Sequence, residues 1–128
     1  MGVKMKSQIE TNKAPGAIGP YSQAILAGDY VFVSGQLPMD MATGEMQVDP
    51  AKAAKASLDN INAILNTVDL DMSNIVKTLI FLTDMNDFAA VNEVYATYFK
   101  EMPPARSCIA VTALPKGAVL EIEAIASK

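Results

Sequence analysis

A chain of 128 residues, half of them hydrophobic and with a formal net charge of −4, has room for one domain with a real core and not for two, so residues 1–128 are read as a single domain. It contains no histidine, one cysteine and one arginine. That excludes Ser-His-Asp triads, Cys-His pairs, histidine proton shuttles, an internal disulfide and most zinc sites, and no metal or cofactor is expected.

At the N-terminus, Met1-Gly2-Val3-Lys4-Met5-Lys6 carries two lysines with no apolar run or small-residue cleavage site behind them. This reads as a chain without a secretory leader, and Lys6 stands where a myristoylation signal wants Ser or Thr. No stretch approaches the roughly 20 apolar residues of a membrane helix, and the single Cys108 fits a reducing compartment, so a cytoplasmic protein is expected. The few cations are scattered, which argues against nucleic acid as a partner; an anionic small substrate would need one local positive site.

A strand is possible near Gln8 to Thr11. Ala24-Ile25-Leu26-Ala27 and Tyr30-Val31-Phe32-Val33 flank Gly28-Asp29, the pattern of a tight hairpin. Asp49-Pro50 predicts a helix start, and apolar residues at Ala54, Leu58, Ile61, Leu65 and Val68 give that helix one buried face, ending near Asp69. Ile75 to Leu82 is β-branched and aromatic and predicts a strand. Asn86 and Asp87 offer caps for a second helix whose stripe is Phe88, Val91, Tyr95, Tyr98 and Phe99, stopped by Met102-Pro103-Pro104. Two strands follow, about Ala105 to Leu114 and Ala118 to Ala126. Two helices can cover only one face of this sheet, and the strands at 75–82 and 105–114 are apolar on both, so the second face is expected to bury itself against another copy.

In a strand, residues two apart share a face. Arg106 and Cys108 therefore point one way, and Glu121 and Glu123 point away from Leu120 and Ile122. Arg106 follows Pro103-Pro104-Ala105, and its planar fork suits a carboxylate, although an ordinary arginine simply pairs with a glutamate. Cys108 reads as a small buried hydrophobe, since no histidine can activate it. Glu121 could orient or deprotonate a water, or merely be solvated. Tyr21 and Ser34-Gly35 sit where loops place binding groups, and Gly35 could equally serve only a backbone turn. Asn92, beside the stripe of the second helix, could reach a cleft or face solvent.

Taken together, Ala14-Pro15-Gly16-Ala17-Ile18-Gly19-Pro20-Tyr21-Ser22-Gln23-Ala24, Val33 to Pro38, Asp84 to Phe88 with Val91-Asn92, Pro104 to Cys108, Leu114 to Ala118 and Glu121 to Ala126 resemble the Rid (reactive intermediate deaminase, or YjgF) family along almost the whole chain. The resemblance implies an α+β, chorismate-mutase-like fold, a mixed sheet with two helices on one face, assembled as a homotrimer with clefts between subunits. It implies hydrolysis of 2-imino acids and their enamines, such as 2-iminobutanoate and 2-iminopropanoate, to 2-oxo acids and ammonia. By the same resemblance Arg106 binds the substrate carboxylate and the backbone around Cys108 contacts the imino nitrogen or the attacking water. Glu121 holds that water, Tyr21 and Asn92 line the cleft, and Ser34 and Gly35 contact substrate through a hydroxyl and a backbone amide. The chain departs from the family at Thr67-Val68-Asp69-Leu70, where relatives commonly have a glycine. A ligand-binding, regulatory or chaperone-like trimer is the alternative, and a ribonuclease or translation inhibitor ranks behind both because histidine and a basic groove are lacking.

Overall fold

The hairpin expected around Gly28-Asp29 forms the middle of one end of a six-stranded sheet. The computed structural model describes residues 5–128, so of the segment read for a leader Met1–Lys4 lie outside the described residues. In chain order the elements are β1 (Lys6–Ile9), β2 (Ala24–Ala27), β3 (Tyr30–Gln36), β4 (Met39–Asp40), β5 (Glu45–Met46), α1 (Pro50–Asn66), β6 (Ile75–Leu82), α2 (Phe88–Tyr98), β7 (Ala105–Ala110) and β8 (Leu120–Ser127). The sheet runs β1-β2-β3-β8-β6-β7, with β4 and β5 as a separate small hairpin. Every neighbouring pair is antiparallel except β6 and β7, which are parallel because α2 carries the chain back between them.

The sheet's helix-covered face is the core. Along β8 burial alternates strictly, with Leu120, Ile122, Ala124 and Ala126 inside, and Val31, Val33, Ile80 and Leu82 meet them from β3 and β6. From above, α1 buries Ala54, Leu58, Ile61 and Leu65, the spacing read from the sequence, while Val68 only packs at its margin. Asp49 caps α1 by accepting from the Lys52 amide (3.1 Å), with Pro50 in the first turn.

Several boundaries differ from expectation for local reasons. The first strand is Lys6–Ile9, because its pairing with Ala24–Ala27 sets the register and Thr11 is instead held by the Gln23 side chain. The first helix stops at Asn66, and the chain turns through Asp69 at φ 61°, in the left-handed region. The cap ahead of α2 is Asp84, whose carboxylate accepts from the Asn86 amide (2.9 Å) of a short 3₁₀ turn; Asp87 makes no side-chain cap. Strand β7 ends at Ala110, short of Leu114, since β6, its partner, ends at Leu82. Similarly, Pro115–Gly117 forms a tight turn, with Lys116 at φ 58° and Gly117 at φ 68°, that delays β8 to Leu120.

Among the described residues no helix lies on the other face. Ile25, Phe32, Ile125, Leu79, Phe81 and Ile109 share it by strand alternation and register, and Phe32 and Ile109 are 46% and 44% exposed. It is the second apolar face the sequence predicted. No helix among the described residues is long and apolar enough to cross a membrane.

Candidate functional site

Strand alternation sends Arg106 and Cys108 to the same face, as expected, and that face is the one α2 covers. Opposite Arg106 in register is Thr78, fully buried, whose hydroxyl lies 2.6 Å from the Tyr95 hydroxyl. Above the strand the guanidinium sits 4.9 Å from the centre of the Tyr95 ring and 5.4 Å from that of Phe88, and Nη1 donates to Asn92 Oδ1 at 2.8 Å. Phe88, Asn92 and Tyr95 follow the i, i+4, i+7 stripe of one helix face, so α2 presents two rings and an acceptor to the same cation.

Arg106 is thus clamped, and it does not pair with a glutamate. The single ion pair among the described residues is Lys55–Asp59 on α1, which leaves the arginine's charge unneutralised within the chain. Asn92, exposed, serves the clamp. Cys108 lies beside it; burial pushes its thiol up, only partly opposed by Arg106, so it stays a thiol at neutral pH.

A second cluster forms around Glu121. A cavity of about 500 Å³ is lined by Tyr21, Ser34, Gly35 and Glu121 together with apolar walls from Ile18, Met39 and Met46 and the rim residue Lys116. Its walls are fixed by polar clasps. The buried Gln23 side chain accepts from the Thr11 amide (2.7 Å) and donates to the Thr11 (3.0 Å) and Pro15 (2.8 Å) carbonyls, tying down the loop that carries Tyr21. Ser34 Oγ donates to the Ser22 carbonyl at 2.6 Å, so its proton is committed to the same loop and only its oxygen is open to a ligand. From α1, the buried Asn60 donates to the Leu37 (3.3 Å) and Met39 (3.0 Å) carbonyls and holds the approach to the small hairpin. Burial, and secondarily the charge of Glu123, raise the Glu121 carboxyl above its ordinary pKa.

The two clusters lie on opposite faces of one sheet. Glu121 pairs with Phe81 in register on the open face, whereas Arg106 aligns with Thr78 and, across β6, Ala124 on the covered face. One chain therefore does not bring Arg106, Asn92 and Cys108 together with Tyr21, Ser34, Gly35 and Glu121. Sequence reasoning missed Gln23 and Thr78 as supports and Lys116, Met39 and Met46 as walls. The clamp rests on the spacing of Phe88, Asn92 and Tyr95 along one helix face, but nothing in that spacing says that the face covers Arg106, and the clasps join segments too far apart in sequence to leave a local signal. A further groove, of about 600 Å³ between α1 and α2, is lined by Lys55, Val94 and Tyr98 and contains none of these residues. Among the described residues no group of three His, Cys, Asp or Glu side chains could hold a metal ion.

The profile of the family described as Endoribonuclease L-PSP matches residues 11–128. A relative from Escherichia coli K12, described as "Putative reactive intermediate deaminase TdcF", is 50% identical over 125 residues, covering 95% of this chain and 97% of its own. The crystal structure of E. coli TdcF with bound serine superposes with a TM-score of 0.90 at 48% identity, covering 95% of this chain and 98% of that one. A "putative endoribonuclease" from Thermotoga maritima MSB8 gives 0.91 at 48% identity, over 97% and 98%. With a family profile spanning nearly all of the chain and half-identical relatives of the same length, this protein belongs to the Rid (YjgF) family.

Proposed function

We propose that this chain is a hydrolytic deaminase of 2-imino acids and their enamine tautomers, 2-iminobutanoate and 2-iminopropanoate among them, working in a cleft shared by two copies of itself. The observation that carries the reading is the clamped, unneutralised Arg106 on one face and the Glu121 cavity on the other. A partner that brings its Glu121 face to the Arg106 edge of its neighbour supplies both halves of one site. Such an interface joins two different patches, which gives a ring where the rotation between copies closes, and the homotrimer implied by the family is the proposed form. The apolar open face is the surface such an assembly would bury. β7 is the outer strand, and its alternate backbone groups have no strand partner among the described residues; those near Cys108 are free to meet a ligand.

In this site Arg106 takes the substrate carboxylate in its fork, with Asn92, Tyr95 and Phe88 holding the guanidinium in place. The enamine first tautomerises to the imine, whose C=N carbon is electrophilic. Water held by Glu121 adds to that carbon while its proton passes to the carboxylate and on to nitrogen. The carbinolamine then collapses: the C–N bond breaks, the C=O bond forms, and ammonia leaves with a 2-oxo acid as product. A carboxyl raised above its ordinary range is suited to holding and returning that proton, and Cys108, a neutral thiol, is assigned no nucleophilic step. Tyr21 closes the cavity over the substrate, and the Ser34 oxygen and the Gly35 amide are its polar contacts. Imines hydrolyse unaided in water, so positioning and one charge clamp supply the modest acceleration required.

The test is to generate 2-iminobutanoate or 2-iminopropanoate from threonine or serine with a dehydratase and to follow 2-oxo acid formation while free imine is scavenged. Acceleration that disappears in Arg106→Ala is expected. A folded assembly that gives no acceleration contradicts the reading and leaves a small-ligand-binding module in its place. The ribonuclease reading is disfavoured by the cavity itself, whose charged lining is one lysine and one carboxylate.

A further inference from the structure

Gly35 occupies a position where no positive φ calls for glycine. Gly19, Gly28, Gly44 and Gly117 all have positive φ, between 60° and 126°, which L-residues rarely adopt. Gly35 is not among them; it lies within β3, where the register against β8 shifts between Val33 and Gln36, and its φ is outside the left-handed region. A β-carbon there would lie 2.6 Å from Glu121 Cδ, 2.8 Å from Oε2 and 2.9 Å from Cγ, and these are its three nearest neighbours. By contrast, a β-carbon at Gly16, Gly28, Gly44 or Gly117 meets nothing within 4 Å. What excludes a side chain at Gly35 is therefore the Glu121 carboxyl itself.

We infer that Gly35 is a positioning residue: its bare Cα is the seat against which the Glu121 carboxyl rests, and it fixes how deep in the cavity that carboxyl stands. The carboxyl is the far end of a flexible side chain, so an alanine at position 35 is accommodated by moving the carboxyl and not by moving the sheet. The carboxyl then swings toward water and away from the atom it serves. The charged and titratable groups that share its surroundings are Glu123 on its own strand, Lys77 on the same face of β6, and Tyr21 and Lys116 around the cavity. With burial as the leading cause of the raised carboxyl, displacement into solvent lowers it toward the ordinary range. The kinetic consequence rests on the deaminase reading; the structural one does not.

The experiment is a double-mutant cycle on the assembled protein, with Gly35→Ala made in the parent and in Glu121→Ala. In the Glu121→Ala background, with the clash removed, alanine should raise Tm by a few degrees through the stiffer unfolded chain, and in the parent it should not. The Glu121 carboxyl resonance, followed by carbon-13 NMR, should titrate at lower pH in Gly35→Ala than in the parent. In the imine assay kcat should fall at least about tenfold with KM changed less than about threefold, and the acid limb of the rate should move to lower pH. Equal Tm changes in both backgrounds, or an unmoved carboxyl titration, would overturn the seat. A shifted titration with kcat unchanged would overturn its positioning role. A parent without imine hydrolysis would sink the deaminase reading alone, because the cycle and the titration decide the seat independently of turnover.

Discussion

Replacing Arg106 with lysine keeps the charge and removes everything else the clamp provides. The guanidinium donates to Asn92 at 2.8 Å and lies over the rings of Tyr95 and Phe88 at 4.9 and 5.4 Å. An ammonium on a flexible stem gives up the planar fork toward a substrate carboxylate, worth about 1.5–3 kcal/mol for a charge-assisted pair, and part of a stacking contribution of about 0.5–1 kcal/mol. A lysine that reaches the substrate as a point charge recovers some of this, leaving a net loss of about 2–3 kcal/mol in transition-state binding. That corresponds to roughly 30- to 150-fold in kcat/KM, carried mostly by KM because the fork holds substrate and transition state alike. The coupled imine assay, with substrate generated in situ over a range of dehydratase concentrations, reads it. Arg106 is only half-buried and makes no ion pair among the described residues, so Tm should stay near the parent's and the loss cannot be assigned to unfolding. An Arg106→Lys variant that works within about threefold of the parent would mean that charge alone suffices, and the reasoning from fork and stacking would fail.

The remaining predictions concern the fold and the carboxyl. Asp69 sits at φ 61°, in the left-handed region that favours glycine; Asp69→Gly should stabilise by about 0.5 kcal/mol and raise Tm by about 2 °C, and a lowered Tm in calorimetry would contradict the strain argument. Gln23→Ala strands the Thr11 amide and the Thr11 and Pro15 carbonyls and should cost about 2–4 kcal/mol in denaturant unfolding while loosening the Tyr21 loop; a loss below about 1 kcal/mol would show the clasp to be dispensable. Glu121 has a folded pKa above its unfolded one, so folding takes up a proton: its stabilising contribution is complete below the ordinary value of 4.5 and is lost as pH rises through the raised one. Glu121→Gln should therefore abolish turnover yet raise Tm at neutral pH, with the gain shrinking on acidification, and a Tm gain that grows on acidification would reverse the assigned sign.

The elements with strong local signals were legible in the sequence. Asp49-Pro50 and the four-three spacing of Ala54, Leu58, Ile61 and Leu65 specify α1, and the alternation in Leu120–Glu123 specifies which way the glutamates face. Boundaries set by a partner were not: β7 stops where β6 stops, and β1 starts where Ala24–Ala27 can pair with it. The two-residue strands Met39–Asp40 and Glu45–Met46 are too short to carry a periodic pattern, although they supply two of the cavity's walls. Residue types at the site were readable one at a time, but their division between two faces follows from the sheet order, which places β8 between β3 and β6 and leaves β7 outermost. Gly35 illustrates the limit: a turn glycine was one reading from sequence, and the constraint turns out to come from Glu121, 86 positions further along.

Subunit complementation tests the shared cleft most directly. Arg106→Ala and Glu121→Gln, each expected to be nearly inactive alone, are co-assembled in equal amounts and assayed for imine hydrolysis. In random mixing half the copies bring an intact Arg106 and half an intact Glu121, so about a quarter of the interfaces contain both and about a quarter of the parent rate should return. A mixed assembly as inactive as either variant alone would contradict a site built from two chains.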